Sequence, residues 1–199
     1  MDKKIVLASG NKGKMREFAA LFAGRGIEVL SQKELGVKEC AEPYGTFLEN
    51  ALAKARNAAR QTGLPAIADD SGITAEALGG MPGVHSARYA GPQHNDADNN
   101  AKLIADLADR EDKRAHYTCV LVAVRSESDP EPVVVQARWS GQITGQPAGS
   151  GGFGYDPYFY LPEYGCTAAE LSAEEKNAVS HRGQAMARLL PALAEAWGW

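Results

Sequence analysis

Ile5-Val6-Leu7-Ala8-Ser9-Gly10-Asn11-Lys12-Gly13-Lys14 joins a short apolar run to a turn of glycine and polar residues. Four successive apolar residues read as a buried strand, and Ser9 to Gly13 read as the turn that ends it. From Lys14 onward, apolar residues fall at Met15, Phe18, Ala19 and Phe22, the spacing of one helix face, and Gly24 and Gly26 stop the helix. Strand, glycine-containing turn and helix together open an α/β unit.

The rest of the chain extends that unit. A second helix starts at Thr46-Phe47-Leu48-Glu49, where Thr46 can cap and Glu49 can reach back to complete a capping box. Leu48, Ala51, Leu52, Ala55 and Ala59 read as its buried stripe, with Asn50, Lys54 and Asn57 on a polar side. After Gly63 and Pro65, Ala66-Ile67-Ala68 reads as a short strand that stops at Asp69-Asp70-Ser71-Gly72. A third helix spans about Asn99 to Leu107. Tyr117 to Val124 and Val133 to Trp139, rich in β-branched residues and joined across Ser126 to Pro132, predict an antiparallel pair. A glycine-rich stretch from Gly145 to Asp156 leads to a strand at Tyr158-Phe159-Tyr160. Thr167 with Glu170, and Ser172 with Glu175, signal a short helix, and a last helix runs from about Ser180 towards Trp197 with a kink near Pro191. No repeat, low-complexity tract or linker interrupts the chain. The prediction is one α/β domain over residues 1–199 with a mixed sheet.

Composition narrows the function classes. Among 199 residues, 21 are basic and 25 acidic, a net charge of -4. Such a surface argues against general nucleic-acid binding. No apolar run approaches the roughly 18 residues of a membrane span, and Met1-Asp2-Lys3-Lys4 leads straight into the first strand, unlike a secretory signal. Cys40, Cys119 and Cys166 are odd in number and lack CxxC spacing, so neither a disulfide framework nor a zinc site is expected. Cys119 lies in a β-run and reads as core. The expectation is a reduced, soluble, cytoplasmic protein.

Four segments carry chemistry. In Ser9 to Lys14, free backbone N–H groups at a helix start, a hydroxyl, an amide and two ammonium groups suit phosphate, or make merely a solvated turn. It is no P-loop, since Gly10 and Gly13 are too close and Met15 replaces the Mg²⁺-binding Ser or Thr. At Asp69-Asp70-Ser71-Gly72, one carboxylate aimed into a cleft could hold Mg²⁺ or take a proton from water. Adjacent residues on a strand point to opposite sides, so at most one of the two is the working group. Gly149-Ser150-Gly151-Gly152-Phe153-Gly154 matches G-x-G-x-x-G but is followed by Tyr155-Asp156-Pro157 instead of a helix. A loop that presents Phe153 or Tyr155 to a base is the better reading, and a hairpin with aromatic core residues is the plain one. Ser180-His181-Arg182-Gly183 places two potentially cationic groups in the first turn of a helix, against its dipole, with Lys176 just before. Together, phosphate donors, acids for a hard metal, an aromatic platform and a donor-rich helix start fit a nucleoside polyphosphate with Mg²⁺.

Six blocks resemble the inosine triphosphate pyrophosphatase family of the Ham1 type, in its bacterial branch acting on dITP and XTP. They are Leu7 to Lys14 with Glu17, Thr46 to Arg56, Ala68 to Gly72, Pro82 to Gly91, Gly151 to Pro157 and Ser180 to Gly183. They occur in order from residue 5 to about residue 190. The resemblance implies an elongated α/β fold with a central cleft, a homodimer, and Mg²⁺-dependent hydrolysis of the α–β phosphoanhydride of deaminated purine nucleoside triphosphates. Carried over, Ser9, Gly10, Asn11, Lys12, Gly13, Lys14 and Lys54 hold the triphosphate. Glu42 and Asp70 handle the metal, Asp70 is also the base for water, and Ser71 lies beside the substrate. Phe153, Gly154, Tyr155, Asp156, Lys176, His181 and Arg182 embrace base and sugar.

Two other readings compete. A Maf-type pyrophosphatase shares the fold and a Leu-Ala-Ser opening, but Phe153-Gly-Tyr-Asp156 and Ser180-His-Arg-Gly183 speak against it. A nucleotide sensor that binds without hydrolysis would not need Lys14, Glu42 and Asp70 together.

Overall fold

The computed structural model describes residues 3–199, so Met1-Asp2, part of the N-terminal reading, lies outside it. Its elements are β1 (Lys3–Leu7), α1 (Lys12–Phe22), β2 (Ile27–Ser31), α2 (Phe47–Thr62), β3 (Ala66–Ala75), α3 (Asp96–Leu107), β4 (Arg114–Val124) and β5 (Val133–Ile143). They continue through β6 (Phe159–Leu161), β7 (Cys166–Thr167), α4 (Ala173–Val179) and α5 (His181–Trp197). Among the described residues one seven-stranded sheet runs in the order β2-β1-β3-β4-β5-β6-β7. β1 is parallel to β2 and β3, whereas β6 is antiparallel to β5 and β7, so the α/β fold has the mixed sheet expected. By internal contacts the chain forms two compact units, with β3, β4, β5 and α5 each contributing to both.

The first unit holds the chain up to Asp70, Val120–Gln136 and Ala185–Trp199. β1 lies between two parallel partners, with Val6 opposite both Leu30 and Ala66. Val6, Ala66 and Ala68 pack with Val120, Val122 and Val124 against Ala51, Ala55, Ala58 and Ala59 of α2. Alanines on that face let the helix backbone approach the strands closely, and they are also the best helix formers. The Thr46 side chain caps α2 by accepting from Glu49 N–H, and Gly63 closes it in the left-handed conformation, φ 68°. The Glu49 carboxylate accepts from the Thr46 hydroxyl at 2.6 Å.

Two strands differ from expectation. β2 carries no strong alternation and follows two glycines, and was not foreseen. β3 does not stop at Ala68 but continues through Asp69, Asp70 and Gly72 to Ala75. Aspartate and glycine are poor strand residues, yet here each carboxylate has a lysine partner from another element, which offsets part of the cost of burying it in the ladder.

The second unit holds Ser71–Cys119 and Ala137–Gln184. Its core gathers Ile73, Leu103, Leu107, Tyr117, Trp139, Phe159 and Leu161. The Ser172–Glu175 capping box is complete at the start of α4. Thr167 and Glu170 form only a local bond, Thr167 N–H to Glu170 Oε2 at 2.7 Å, in a turn where a helix start had been signalled. α5 runs through Pro191 as a single helix. At its first turn Gly183 is required by space, because a Cβ there would stand 1.7 Å from the carbonyl oxygen of Asn177.

Candidate active site

The first unit carries a cavity of about 200 Å³ lined by Ser9, Gly10 and Lys14 from the β1–α1 turn and by Lys54 and Asn57 from α2. Glu39, Cys40 and Glu42 come from the irregular segment before α2, and Asp69 from β3. Asp69 and Asp70 point to opposite sides of β3, as strand geometry requires. Lys14 Nζ donates to Asp69 Oδ1 at 2.6 Å, and Lys54 Nζ to Asp70 Oδ1 at 2.7 Å. The same Lys54 ammonium also lies 3.3 Å from Glu42 Oε1, so one cation joins the two acids expected at a metal.

The electrostatics follow from burial. Removal from water pushes the Asp70 carboxyl above the usual carboxylate range; Lys54 pulls the other way without cancelling it. For Lys54, burial opposes the charge, but Asp70 outweighs it, with Glu42 and Asp69 adding to the effect, so the ammonium is held above its ordinary value. Burial likewise pushes the Cys40 thiol up, which makes it a poor nucleophile.

The β1–α1 turn is less open to phosphate than its sequence suggests. Asn11 Oδ1 accepts from Gly13 N–H and Lys14 N–H at 2.8 and 3.1 Å, and Ser9 Oγ accepts from Asn11 N–H at 3.2 Å. These donors were expected to be free; they serve the helix cap instead. Lys12 and Asn11 are exposed, and neither they nor Gly13 line the cavity.

Two lysines against three carboxylates, Glu39, Glu42 and Asp69, leave the cavity lining without a positive excess. A polyanion entering such a space needs a cation brought with it. Glu42 and Asp70 are hard oxygen donors converging on one ammonium, a set that fits Mg²⁺, which is commonly held by one or two carboxylates plus substrate phosphates. Among the described residues no three His, Cys, Asp or Glu side chains form a metal cluster by themselves.

In the second unit the glycine-rich loop folds around Asp156. This carboxylate is buried and accepts from Phe153 N–H at 2.8 Å, from Tyr117 Oη at 3.4 Å and from Lys176 Nζ. Gly152, at φ 73°, is needed there, since a Cβ would fall 2.1 Å from Asp156 Oδ2. Asp156 therefore shapes the loop, its carboxylate accepting bonds from the protein's own groups. Of the two candidate rings, Phe153 is 64% exposed with Lys176 Nζ 4.8 Å from its centroid, whereas Tyr155 is buried with its hydroxyl on Ser86 O at 2.7 Å. Gly154 is held at both backbone groups by α3: its N–H donates to Asp96 Oδ2 at 2.9 Å, and its oxygen accepts from Asn100 Nδ2 at 2.8 Å. Neither α3 residue was singled out from sequence, for a side chain gripping a distant backbone leaves no local pattern.

His181 is 6% exposed and its ring stacks on Tyr117 at 4.7 Å and 7°, with Trp139 at 6.3 Å, so the aromatic cluster fixes the plane of the imidazole. Arg182 and Ser71 are half-buried.

The chain matches the model of the Ham1 family over residues 5–192. A dITP/XTP pyrophosphatase of Neisseria meningitidis serogroup A is 61% identical over 193 residues, spanning 96% of this chain and 97% of that one. One from Bordetella parapertussis is 59% identical over 194 residues, 96% of this chain and 91% of the relative. Among solved structures, a HAM1 protein from Coxiella burnetii superposes with a TM-score of 0.94 at 47% identity, covering 98% of this chain and all of the other (100%).

Proposed function

This chain belongs to the Ham1 family, and from that premise we propose that it hydrolyses the non-standard purine nucleoside triphosphates dITP, ITP and XTP to the nucleoside monophosphate and pyrophosphate. The observation that carries this reading is the Lys54 bridge between Asp70 and Glu42 beside the cavity. It puts a buried carboxylate, raised above the usual range, beside the Lys54 ammonium and the Glu42 carboxylate, with Lys14 on the neighbouring Asp69, which is equipment for a water attack on a phosphoanhydride.

Asp70 accepts the proton of the attacking water. Its burial makes it more basic than an exposed carboxylate, and the Lys54 ammonium beside it partly offsets that burial. Lys14 and Lys54 neutralise charge on the triphosphate as the pyrophosphate leaves. Glu42 and Asp70 would hold Mg²⁺, which supplies charge neutralisation and orientation of the phosphates when bound. Phe153 offers a face for base stacking, with Lys176 beside it, and Arg182 donates towards the base. Tyr155, Asp156 and His181 act by shaping that region. The enzyme works as a cytoplasmic homodimer. Among the described residues no helix is long and apolar enough to cross a membrane.

Pyrophosphate release from a panel of dITP, ITP, XTP, ATP, GTP, UTP and dTTP, with Mg²⁺ or with chelator, tests the proposal. Release from the first three, lost with chelator, is expected. Preference for UTP or dTTP would point to the Maf-type activity, and binding without release to a sensor.

A further inference from the structure

Glu42 sits in a segment, residues 38–44, that forms neither helix nor strand. An unstructured carrier is a poor way to present a ligand, because each residue left loose must lose conformational entropy to be ordered on binding. The segment is not loose. At one end, Lys38 O accepts from Asn57 Nδ2 and Gln61 Nε2, both at 2.8 Å, and Lys38 N–H donates to Gln61 Oε1 at 3.0 Å. At the other end, Tyr44 N–H donates to Asn50 Oδ1 at 3.2 Å and Tyr44 O accepts from Asn50 Nδ2 at 3.1 Å. Between these clamps Lys54 meets Glu42 at 3.3 Å.

All four gripping residues come from α2. Positions 50, 54, 57 and 61 recur at helical spacing and so line one face, a polar strip adjoining the alanines that pack on the sheet. The amides at the two ends bind backbone, which fixes the path of the segment whatever its side chains. Within the stripe, Asn57 Oδ1 accepts from Gln61 Nε2 at 2.9 Å and from Arg60 NH2 at 2.9 Å, so the clamp residues hold one another. Asn50 and Asn57 are buried, as befits groups whose bonds are internal.

We infer that Asn50, Asn57 and Gln61 are positioning residues: they make α2 a rigid template on which residues 38–44 are laid so that Glu42 is presented before metal or nucleotide arrives. This rests on Glu42 serving as a metal ligand. Outer partners that orient a ligand typically change metal affinity or activity by about 10- to 100-fold when lost.

The test uses the full chain as Asn50→Ala and Gln61→Ala. Gln61 is exposed, so its variant keeps the fold even if Asn50→Ala does not. In protein free of metal and nucleotide, amide exchange of residues 38–44 should speed up by about tenfold or more in Gln61→Ala, with exchange in β1 unaltered. Titration with Mn²⁺ should show affinity reduced by about 10- to 100-fold, while kcat at saturating Mg²⁺ stays near wild type. Unchanged exchange in residues 38–44 overturns the inference, as does faster exchange with wild-type Mn²⁺ affinity. Glu42→Gln separates the two readings. If it keeps full Mn²⁺ affinity, the metal role of Glu42 falls, and the exchange measurement alone then decides whether α2 holds the segment.

Discussion

Asp69 and Asp70, neighbours on β3, are held by lysines from two different helices, Lys14 of α1 at 2.6 Å and Lys54 of α2 at 2.7 Å. The alternation of a strand sends one carboxylate to each side. The two acids therefore have separate duties: the Asp69 side chain is fully buried (0% exposed) and ties α1 to the strand, and the Asp70 side chain, at 11%, stands with Glu42.

Exchanging each acid for its amide should separate those duties. Asp70→Asn keeps the shape and removes the proton acceptor, so kcat should fall by about 10²-fold or more with little change in Tm. Asp69→Asn should lower Tm and leave most turnover. Steady-state kinetics and thermal unfolding of both variants check this; near-normal turnover in Asp70→Asn would show that the working carboxylate is the other one.

Lys14→Ala should act twice. It takes one charged partner from the buried Asp69, for a destabilisation of about 1–3 kcal/mol, and it removes a cation from the triphosphate, raising KM and lowering kcat together. Denaturant unfolding with kinetics at physiological salt separates the effects. Unaltered kinetics would leave Lys14 with only its structural bond.

Phe153→Ala removes a ring that is 64% exposed and contributes no core packing. Tm should hold while KM for dITP rises by about 5- to 100-fold, since base–aromatic stacking is worth about 1–3 kcal/mol. Tyr155→Ala should do the reverse, costing stability first, because that ring fills the second unit's core.

His116 gives the second unit a pH-dependent contribution. Burial holds its imidazole below the ordinary value of 6.5; Arg138 adds to this, and Glu76, 3.3 Å from Nδ1, only partly opposes it. The folded state prefers the neutral ring, so its contribution is complete above pH 6.5 and is lost as pH falls below that value, where the unfolded chain takes up the proton first. The Tm difference between wild type and His116→Gln should shrink from about pH 7.5 to about pH 5. A difference constant across that range would contradict the assignment.

What sequence reading reached and missed divides along physical lines. β1, its turn and α1 were legible because strand, glycine and helix signals are local; the stripe of α2 was legible at Ala51, Ala55 and Ala59, whereas Leu48, expected in it, is 43% exposed. The true length of β3 was not, since only distant lysines make Asp69 and Asp70 tolerable inside a strand. Of the polar face of α2, Asn50, Lys54 and Asn57 could be placed by spacing, but their grip on residues 38–44 depends on where that segment returns. His181 and Asp156 were expected beside base and sugar, but nothing in the sequence signalled that His181 stacks on Tyr117 or that the glycine loop folds around a buried Asp156.

The central claim is that Asp70-assisted water cleaves the α–β bond of a deaminated purine nucleoside triphosphate. Chromatographic identification of the products from dITP with Mg²⁺, for wild type and Asp70→Asn, tests it most directly. dIMP and pyrophosphate in equal amounts, nearly abolished in the variant, is the predicted result; dIDP with orthophosphate, or unaltered product formation in Asp70→Asn, would contradict it.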